Sequence, residues 1–292
     1  MKILNFGSLN LDYVYDVDHM VQEGETLASA GMKVMMGGKG LNQSIALAKA
    51  SLPVFHAGQV GAEGGDLTAC LAENGVDTRF VRVVEGRSGH TIIQVDKEGR
   101  NCILLYGGAN RSLTEDYIQE VLDFFEEGDI LVLQNEVNLL GFIVDEAYKR
   151  GLRIVLNPSP YDAFLEKVDF SKIGTLFLNE VEGEQLSGVS DAEGILAALK
   201  ERFPNTEVIL TLGTKGSVYQ KGEERYFQDI FPVKAVDTTA AGDTFTGFFL
   251  SAREKGYGVQ EALKLASKAS SVAVTRPGAA ASIPTWSEVV GE

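Results

Sequence analysis

Apolar and polar positions alternate with a period of two over residues 9–15. That period puts Leu9, Leu11 and Tyr13 on one face of a strand and Asn10 and Asp12 on the other. Residues 3–6 predict a preceding strand that ends at Gly7-Ser8, and residues 26–36 a further strand region. The period then changes. Leu41, Ile45 and Ala48 fall at i, i+4 and i+7, the stripe of a core-packed helix. Short apolar strands are expected at 54–57 and 80–84, flanking a helix near 67–74, and a hairpin at 91–96 and 102–106 around the polar turn 97–100. Ile118, Val121, Leu122 and Phe125 form another helical stripe, with Leu113 placed to staple against Ile118.

From residue 130 the alternation becomes regular. Strands are predicted at 130–133, 153–156, 175–178, 207–212, 217–220 and 225–228. Helices are predicted through 143–148, 181–186, 192–203, 243–255 and 259–275, the last with Ala262, Ala266, Ala269 and Ala273 on one close-packing face. Strands alternating with helices imply an α/β fold, its central, mainly parallel sheet covered by helices on both faces. The 91–106 hairpin and residues 11–36 fall outside that rhythm and are assigned to a small separate sheet.

Composition removes several function classes. The 292 residues carry a formal charge of −15, which argues against a broad footprint for DNA or RNA. A bound phosphate must therefore be held locally, by backbone N–H groups, a metal ion or a few cations. The amino terminus enters a strand pattern without the apolar segment of a signal peptide, and no apolar run approaches membrane-spanning length, so a cytoplasmic location is expected. Cys70 and Cys102 lack metal-ligand spacing and His19, His56 and His90 do not cluster, so neither a disulfide framework nor a zinc site is expected.

In open α/β sheets ligands bind beyond the carboxyl ends of the strands. Polar residues collect at those ends: Asn10 and Asp12, Gln134-Asn135-Glu136, Asn157, Asn179 to Glu182, and Thr211 with Gly213 to Gly216. One such end is ordinary loop chemistry; so many at one edge imply a single lined crevice. The turn Gly37-Gly38-Lys39-Gly40 lets a ligand approach the backbone closely, with Lys39 and Asn42 on one face of the following helical turn. Its spacing is not that of a Walker A loop.

The stretch Ala235 to Gly247 is expected to start as the end of a strand and to finish as the start of a helix, passing through the tiny residues Ala240-Ala241-Gly242. Open N–H groups at such a helix start attract an anion. Asp243 at that rim has two readings, a capping carboxylate or a base that takes a proton from a hydroxyl.

With these stretches in hand, the chain resembles the ribokinase-like carbohydrate kinase family. The resemblance rests on Gly7 to Asp12, Gly37 to Gln43, Gly108-Ala109-Asn110, Asn157 to Pro160, Asn179 to Glu182, Thr211 to Gly216, Asp237 to Asp243 and Thr275 to Ala279, in family order over nearly the whole length. It implies transfer of the ATP γ-phosphoryl group to the terminal hydroxyl of a sugar, D-ribose first, with deoxyribose or a nucleoside as alternatives. Asp243 would be the base, and the amides of Ala240, Ala241 and Gly242 the anion hole. Asn10, Asp12, Gly38, Lys39, Gly40, Asn42 and Glu136 would hold the sugar. Asn179, Thr211, Gly213, Thr214, Gly216, Gly242 and Ser267 would border ATP. Glu182 and Asn179 would organise Mg2+ through water, and the backbone around Asp237, Thr239, Ala273, Arg276 and Gly278, with the Ser282 hydroxyl, would ring K+.

The resemblance also implies a core of residues 1–10, 37–88 and 108–292 and a β lid of residues 11–36 and 89–107, with a homodimer built through the lid. The carboxylates of Asp12 and Glu136 suit a neutral polyol and would repel a phosphorylated substrate. A base-covering lid for a nucleoside would draw on Tyr13, Met36 and Ile103. A sugar sensor without catalysis would have lost Asp243 or Gly242, and both are present.

Overall fold

A computed structural model describes residues 1–291. In chain order the strands are β1 (Ile3–Phe6), β2 (Asn10–Asp16), β3 (Gly31–Gly37), β4 (Val54–Val60), β5 (Asp77–Val83), β6 (Gly89–Val95), β7 (Asn101–Tyr106), β8 (Ile130–Gln134), β9 (Arg153–Asn157), β10 (Thr175–Asn179), β11 (Glu207–Thr211), β12 (Ser217–Lys221) and β13 (Glu224–Gln228). The α-helices are α1 (Lys39–Lys49), α2 (Gly65–Glu73), α3 (Glu115–Leu122), α4 (Leu140–Lys149), α5 (Glu180–Ser187), α6 (Ala192–Arg202), α7 (Ala241–Glu254), α8 (Val259–Ala273) and α9 (Trp286–Val290).

Nine strands form the central sheet in the order β13-β12-β11-β10-β9-β8-β1-β4-β5. All its neighbours pair in parallel except β11–β12 and β12–β13, which are antiparallel. The strand period of two splits the interior cleanly. Leu131 and Leu133 of β8 point into the apolar layer under α3 to α6, while Ile130 and Val132 point into the layer under α1, α2, α7 and α8. Each face is thus sealed by its own helices, as a parallel sheet requires.

Local signals hold as predicted where a helix has its own start chemistry. Thr114 caps α3, accepting from the Tyr117 N–H, with Leu113 and Ile118 buried on either side of the cap. The four alanines of α8 are fully buried. Three expectations change. No strand ends at Ala235, because residues 229–240 join neither sheet. The strand expected over 26–36 begins only at Gly31, because its partner β2 runs out at Asp16, paired with Gly31, leaving residues 26–30 without a ladder partner. The short helix α9 was not anticipated; Thr285 and Glu288 start it with a reciprocal capping box.

The second sheet has the order β3-β2-β6-β7, with β2–β6 parallel and the flanking pairs antiparallel. Its register aligns Asp12 with Met35 and Thr91, and Tyr13 with Val34 and Ile92. One face therefore carries Asn10, Asp12 and Thr91, and the other carries Val34, Tyr13, Ile92 and Leu104. Of the three residues considered for covering a base, only Ile103, paired with Ile93, shares the face of Asp12.

Candidate functional site

The carboxyl ends of β1, β8, β9, β10 and β11 lie side by side, with Phe6 paired to Leu133, Gln134 to Asn157 and Asn179 to Thr211. The polar strand ends therefore converge on one edge, as the sequence predicts for an open α/β sheet.

The turn before α1 is built for close approach. Gly38 sits at φ 95°, in the left-handed region where a side chain is strained. A Cβ on Gly40 would lie 2.4 Å from the Ser8 N, so only glycine lets this turn press onto the end of β1. Glu136 is fastened to the same turn. It accepts from the Ser8 hydroxyl, and from the Lys39 N–H at 2.9 Å, at the positive end of α1. Asn10 is held by Asn110, whose Nδ2 donates to Asn10 Oδ1 at 2.7 Å. Asp12 accepts from the Thr91 hydroxyl at 2.6 Å and packs on Gly37, where a Cβ would lie 1.9 Å from Asp12 Oδ2.

These placements shape the electrostatics. Burial pushes the Asp12 carboxyl up to about 6; the Thr91 hydrogen bond opposes that and the charge of Glu136 adds to it. Burial alone would lower the Lys39 ammonium, but the fields of Asp243, Glu136 and Glu182 outweigh it and hold Lys39 above its ordinary value. Lys39 thus sits in the combined field of three carboxylates contributed by separate stretches of the chain.

Asp243 lies in the first turn of α7, 7 % exposed, with the Asn42 Nδ2 at 3.2 Å and the Gln43 Nε2 at 2.9 Å. Its helix starts from Ala240, a non-glycine residue at φ 61°, a costly backbone conformation; no side chain caps the amides that follow, although the Ala241 N–H donates to the Thr238 carbonyl at 3.2 Å. Beyond them opens a cavity of about 460 Å³. Asn179, Thr211, Gly213, Thr214, Gly216, Gly242 and Ser267, the seven residues expected to border a nucleotide, all line it.

Asn179 and Glu182 make a reciprocal capping box on α5. Glu182 Oε2 accepts from the Asn179 N–H at 3.0 Å, and Asn179 Oδ1 accepts from the Glu182 N–H at 2.9 Å. Next to the cavity-lining Thr238, Asp237 ties two loops together. Its Oδ1 accepts from the Thr239 N–H and hydroxyl at 2.9 and 2.6 Å, and its Oδ2 from the Gly278 N–H at 2.9 Å. Burial would raise this carboxyl, but those donors outweigh it and keep it below the ordinary range. Ala273 and Arg276 meet through a backbone turn, and the Ser282 hydroxyl donates to the Ala279 carbonyl.

The profile of the pfkB family carbohydrate kinases matches residues 1–286. The chain belongs to this family. It is 35 % identical to the ribokinase of Haemophilus influenzae over 97 % of this chain and 95 % of that one. The crystal structure of ribokinase from Thermotoga maritima superposes with a TM-score of 0.89 at 33 % identity, covering 100 % of this chain and 98 % of that one. The Arabidopsis thaliana ribokinase, solved with ribose and ATP, gives 0.85 at 28 % identity, covering 99 % of this chain and 97 % of that one. A pfkB fold, with a nine-stranded, mostly parallel sheet and a separate four-stranded one, is therefore what this sequence forms.

Sequence reasoning had no role for several residues of this pfkB site. Thr91 looks like any β-branched strand residue until β6 is laid beside β2. Gln43 and Ser8 lie inside recognised stretches, but their partners are more than 90 residues away. The cavity wall Ile230, Phe231 and Val233 follows β13 in a segment to which the sequence pattern gives no role, and Ala235, at the head of the stretch leading into α7, joins it. An apolar run around Pro232, outside any periodic element, was the available signal.

Proposed function

We propose that this carbohydrate kinase phosphorylates D-ribose, giving ribose 5-phosphate and ADP. The observation that carries the reading is the position of Asp243. It is one residue from Gly242, which lines the large cavity, and in contact with Asn42, one of the proposed sugar residues. A base at that junction reaches an alcohol on one side while the first amides of α7 face a phosphoryl group on the other.

In this reading Asn10, Asp12, Gly38, Gly40, Asn42 and Glu136 hold the sugar hydroxyls. Asp243 takes the proton of the terminal hydroxyl as its oxygen attacks the γ-phosphorus. The N–H groups of Ala240, Ala241 and Gly242 receive the charge that develops on the transferring oxygens. Lys39 balances the carboxylates around them. Asn179, Thr211, Gly213, Thr214, Gly216 and Ser267 border ATP, with the apolar wall from Ile230 to Ala235 on one side.

Two ions complete the proposal. Glu182 has spare lone pairs beyond its capping bonds, and with Asn179 it fits a hydrated Mg2+ held through water, which would neutralise the phosphates. The backbone oxygens around Asp237, Thr239, Ala273, Arg276 and Gly278, with the Ser282 hydroxyl, would offer an oxygen-only set to a hard monovalent cation, K+, which would brace the loops that lead into α7.

Residues 11–36 and 89–107 act as a lid over the core formed by 1–10, 37–88 and 108–292, excluding water from the transfer. The lid face opposite Asp12 exposes Val34, Ile92 and Leu104, with Met32 and Tyr106 alongside. Covering that row by a second copy makes the homodimer we propose. Among the described residues no helix is long and apolar enough to cross a membrane.

The test is turnover with ribose, ATP, Mg2+ and K+, against a panel that includes deoxyribose and nucleosides. Ribose 5-phosphate forms with the highest kcat/KM of the panel, and Asp243→Asn abolishes turnover while sugar-induced thermal stabilisation survives. Absence of turnover on ribose, or a nucleoside ranking first, rejects the reading.

A further inference from the structure

Asp243 is gripped by two side-chain amides that are anchored very differently. Gln43 is the end of a buried relay. The Asn5 Nδ2 donates to the Gly40 carbonyl at 3.0 Å, and a backbone carbonyl can only accept, so the orientation of Asn5 is fixed. Asn5 Oδ1 then accepts from Gln134 Nε2 at 3.1 Å, and the same nitrogen donates to Gln43 Oε1 at 2.7 Å. Gln43 is left with its Nε2 on Asp243 Oδ1 at 2.9 Å. All three amides of the relay are essentially without solvent access. Gln134 Oε1 is itself buried without a partner, but a flip of any of the three would set two oxygens against each other and leave a buried donor unpaired.

Asn42 has no such anchor. Its Nδ2 reaches Asp243 Oδ2 at 3.2 Å, and its Oδ1 is buried without a hydrogen-bond partner. A buried, unsatisfied amide oxygen is costly and favours any arrangement that supplies a donor. A sugar hydroxyl is such a donor.

We propose that Gln43 is the positioning residue for the base, and that Asn42 is a removable cap on it. This rests on the reading of Asp243 as the base. In the sugar-free protein both carboxylate oxygens are occupied, Oδ1 by the fixed amide and Oδ2 by the loose one. When a sugar enters, Asn42 turns its amide to the hydroxyls and releases Oδ2, while Gln43 keeps Oδ1 and the plane of the carboxylate in place. The terminal hydroxyl then gives its proton to Oδ2 as its oxygen bonds to the γ-phosphorus; the bond from that phosphorus to the β,γ-bridging oxygen breaks and ADP leaves with the electron pair. A capped base in the sugar-free state is denied to water, so ATP is not hydrolysed before the sugar arrives.

Two variants test the two halves. Gln43→Met keeps length and volume but cannot donate. Its kcat is expected to fall by about tenfold or more, with KM for ribose and ATP within about twofold of the parent, the split that lost alignment produces. A residue with a packing role alone would lower thermal stability and leave kcat. If Gln43→Met does not fold, Gln134→Met carries the same test, because it frees Gln43 Oε1 and lets that amide rotate. A kcat within about twofold of the parent, in a background where Asp243→Asn is dead, overturns the positioning role; an active Asp243→Asn instead overturns the base reading beneath it. Asn42→Ala is expected to raise ATP hydrolysis without sugar by about fivefold or more even as KM for ribose rises. Hydrolysis no faster than the parent's overturns the cap.

Discussion

The Thr91 hydroxyl donates to Asp12 Oδ1 at 2.6 Å, across the parallel pairing of β2 with β6. The bond joins two segments about 80 residues apart and spends one carboxylate lone pair that a sugar would otherwise use. It also counters the burial that lifts the Asp12 carboxyl from 3.8 to about 6. A folded-state value above the unfolded one means the folded protein binds more protons between them. Stability therefore falls as pH rises through that window, and the loss, about 3 kcal/mol, is complete above it. Asp12→Asn should raise the melting temperature by several degrees at pH 7.5, an advantage that vanishes near pH 4, and should lose ribose affinity. In the parent protein KM for ribose should rise as pH drops below about 6, and Thr91→Val should move that limb to higher pH. Melting scans and KM measured across pH check both.

Gly242 has open space where a Cβ would stand. Gly242→Ala should therefore fold as well as the parent, or gain up to about 1 kcal/mol from helix propensity. Its methyl enters the space meant for the phosphoryl group, so kcat should fall by about 100-fold or more. Calorimetry beside steady-state kinetics checks the pair; a variant with full activity would remove the anion hole from the mechanism.

Glu182 serves a helix cap in the structure and a metal in the proposal, and one substitution separates the roles. Glu182→Gln keeps one acceptor oxygen for the cap, so it should cost no more than about 1 kcal/mol of stability. It removes the charge, so the Mg2+ concentration for half-maximal rate should climb by about tenfold. A Mg2+ titration unchanged from the parent's would leave Glu182 with the cap alone.

Asp237 fixes the loops on which the cation site depends. Activity should be clearly higher in K+ than in Na+ at equal ionic strength. Asp237→Asn weakens the charge-assisted bonds to Thr239 and Gly278. It should abolish that preference and lower kcat by about tenfold, with ribose-induced stabilisation retained. Equal rates in the two salts for the parent would count against the site.

Leu104 is the most exposed residue of the apolar row on the lid, at 67 %. Leu104→Glu should convert a dimer to a monomer in sedimentation equilibrium without lowering the melting temperature of the monomer, because the side chain is already in solvent. A parent protein that sediments as a monomer would refute the interface directly.

The legible parts of the fold were those whose cause is local. The alternation from residue 130 onward, the Thr114 cap with its Leu113–Ile118 staple, and the alanine face of α8 are each produced by residues within a few turns of one another. Strand limits were less legible. Where β3 begins depends on where β2 stops, and neither segment states that alone.

The sequence by itself determined the architecture and the chemistry available to it. Period and turn residues specify a covered parallel sheet, and strand ends can carry polar side chains only where they leave the core. What tertiary structure decided was who holds whom. Glu136 is fastened by Ser8, Asp12 by Thr91, and Asp243 by Gln43 through Gln134 and Asn5, at separations from 79 to 200 residues. The physical reason is that a hydrogen bond is fixed by distance and angle in space, and hydrophobic period says which face a residue takes but not which partner waits there.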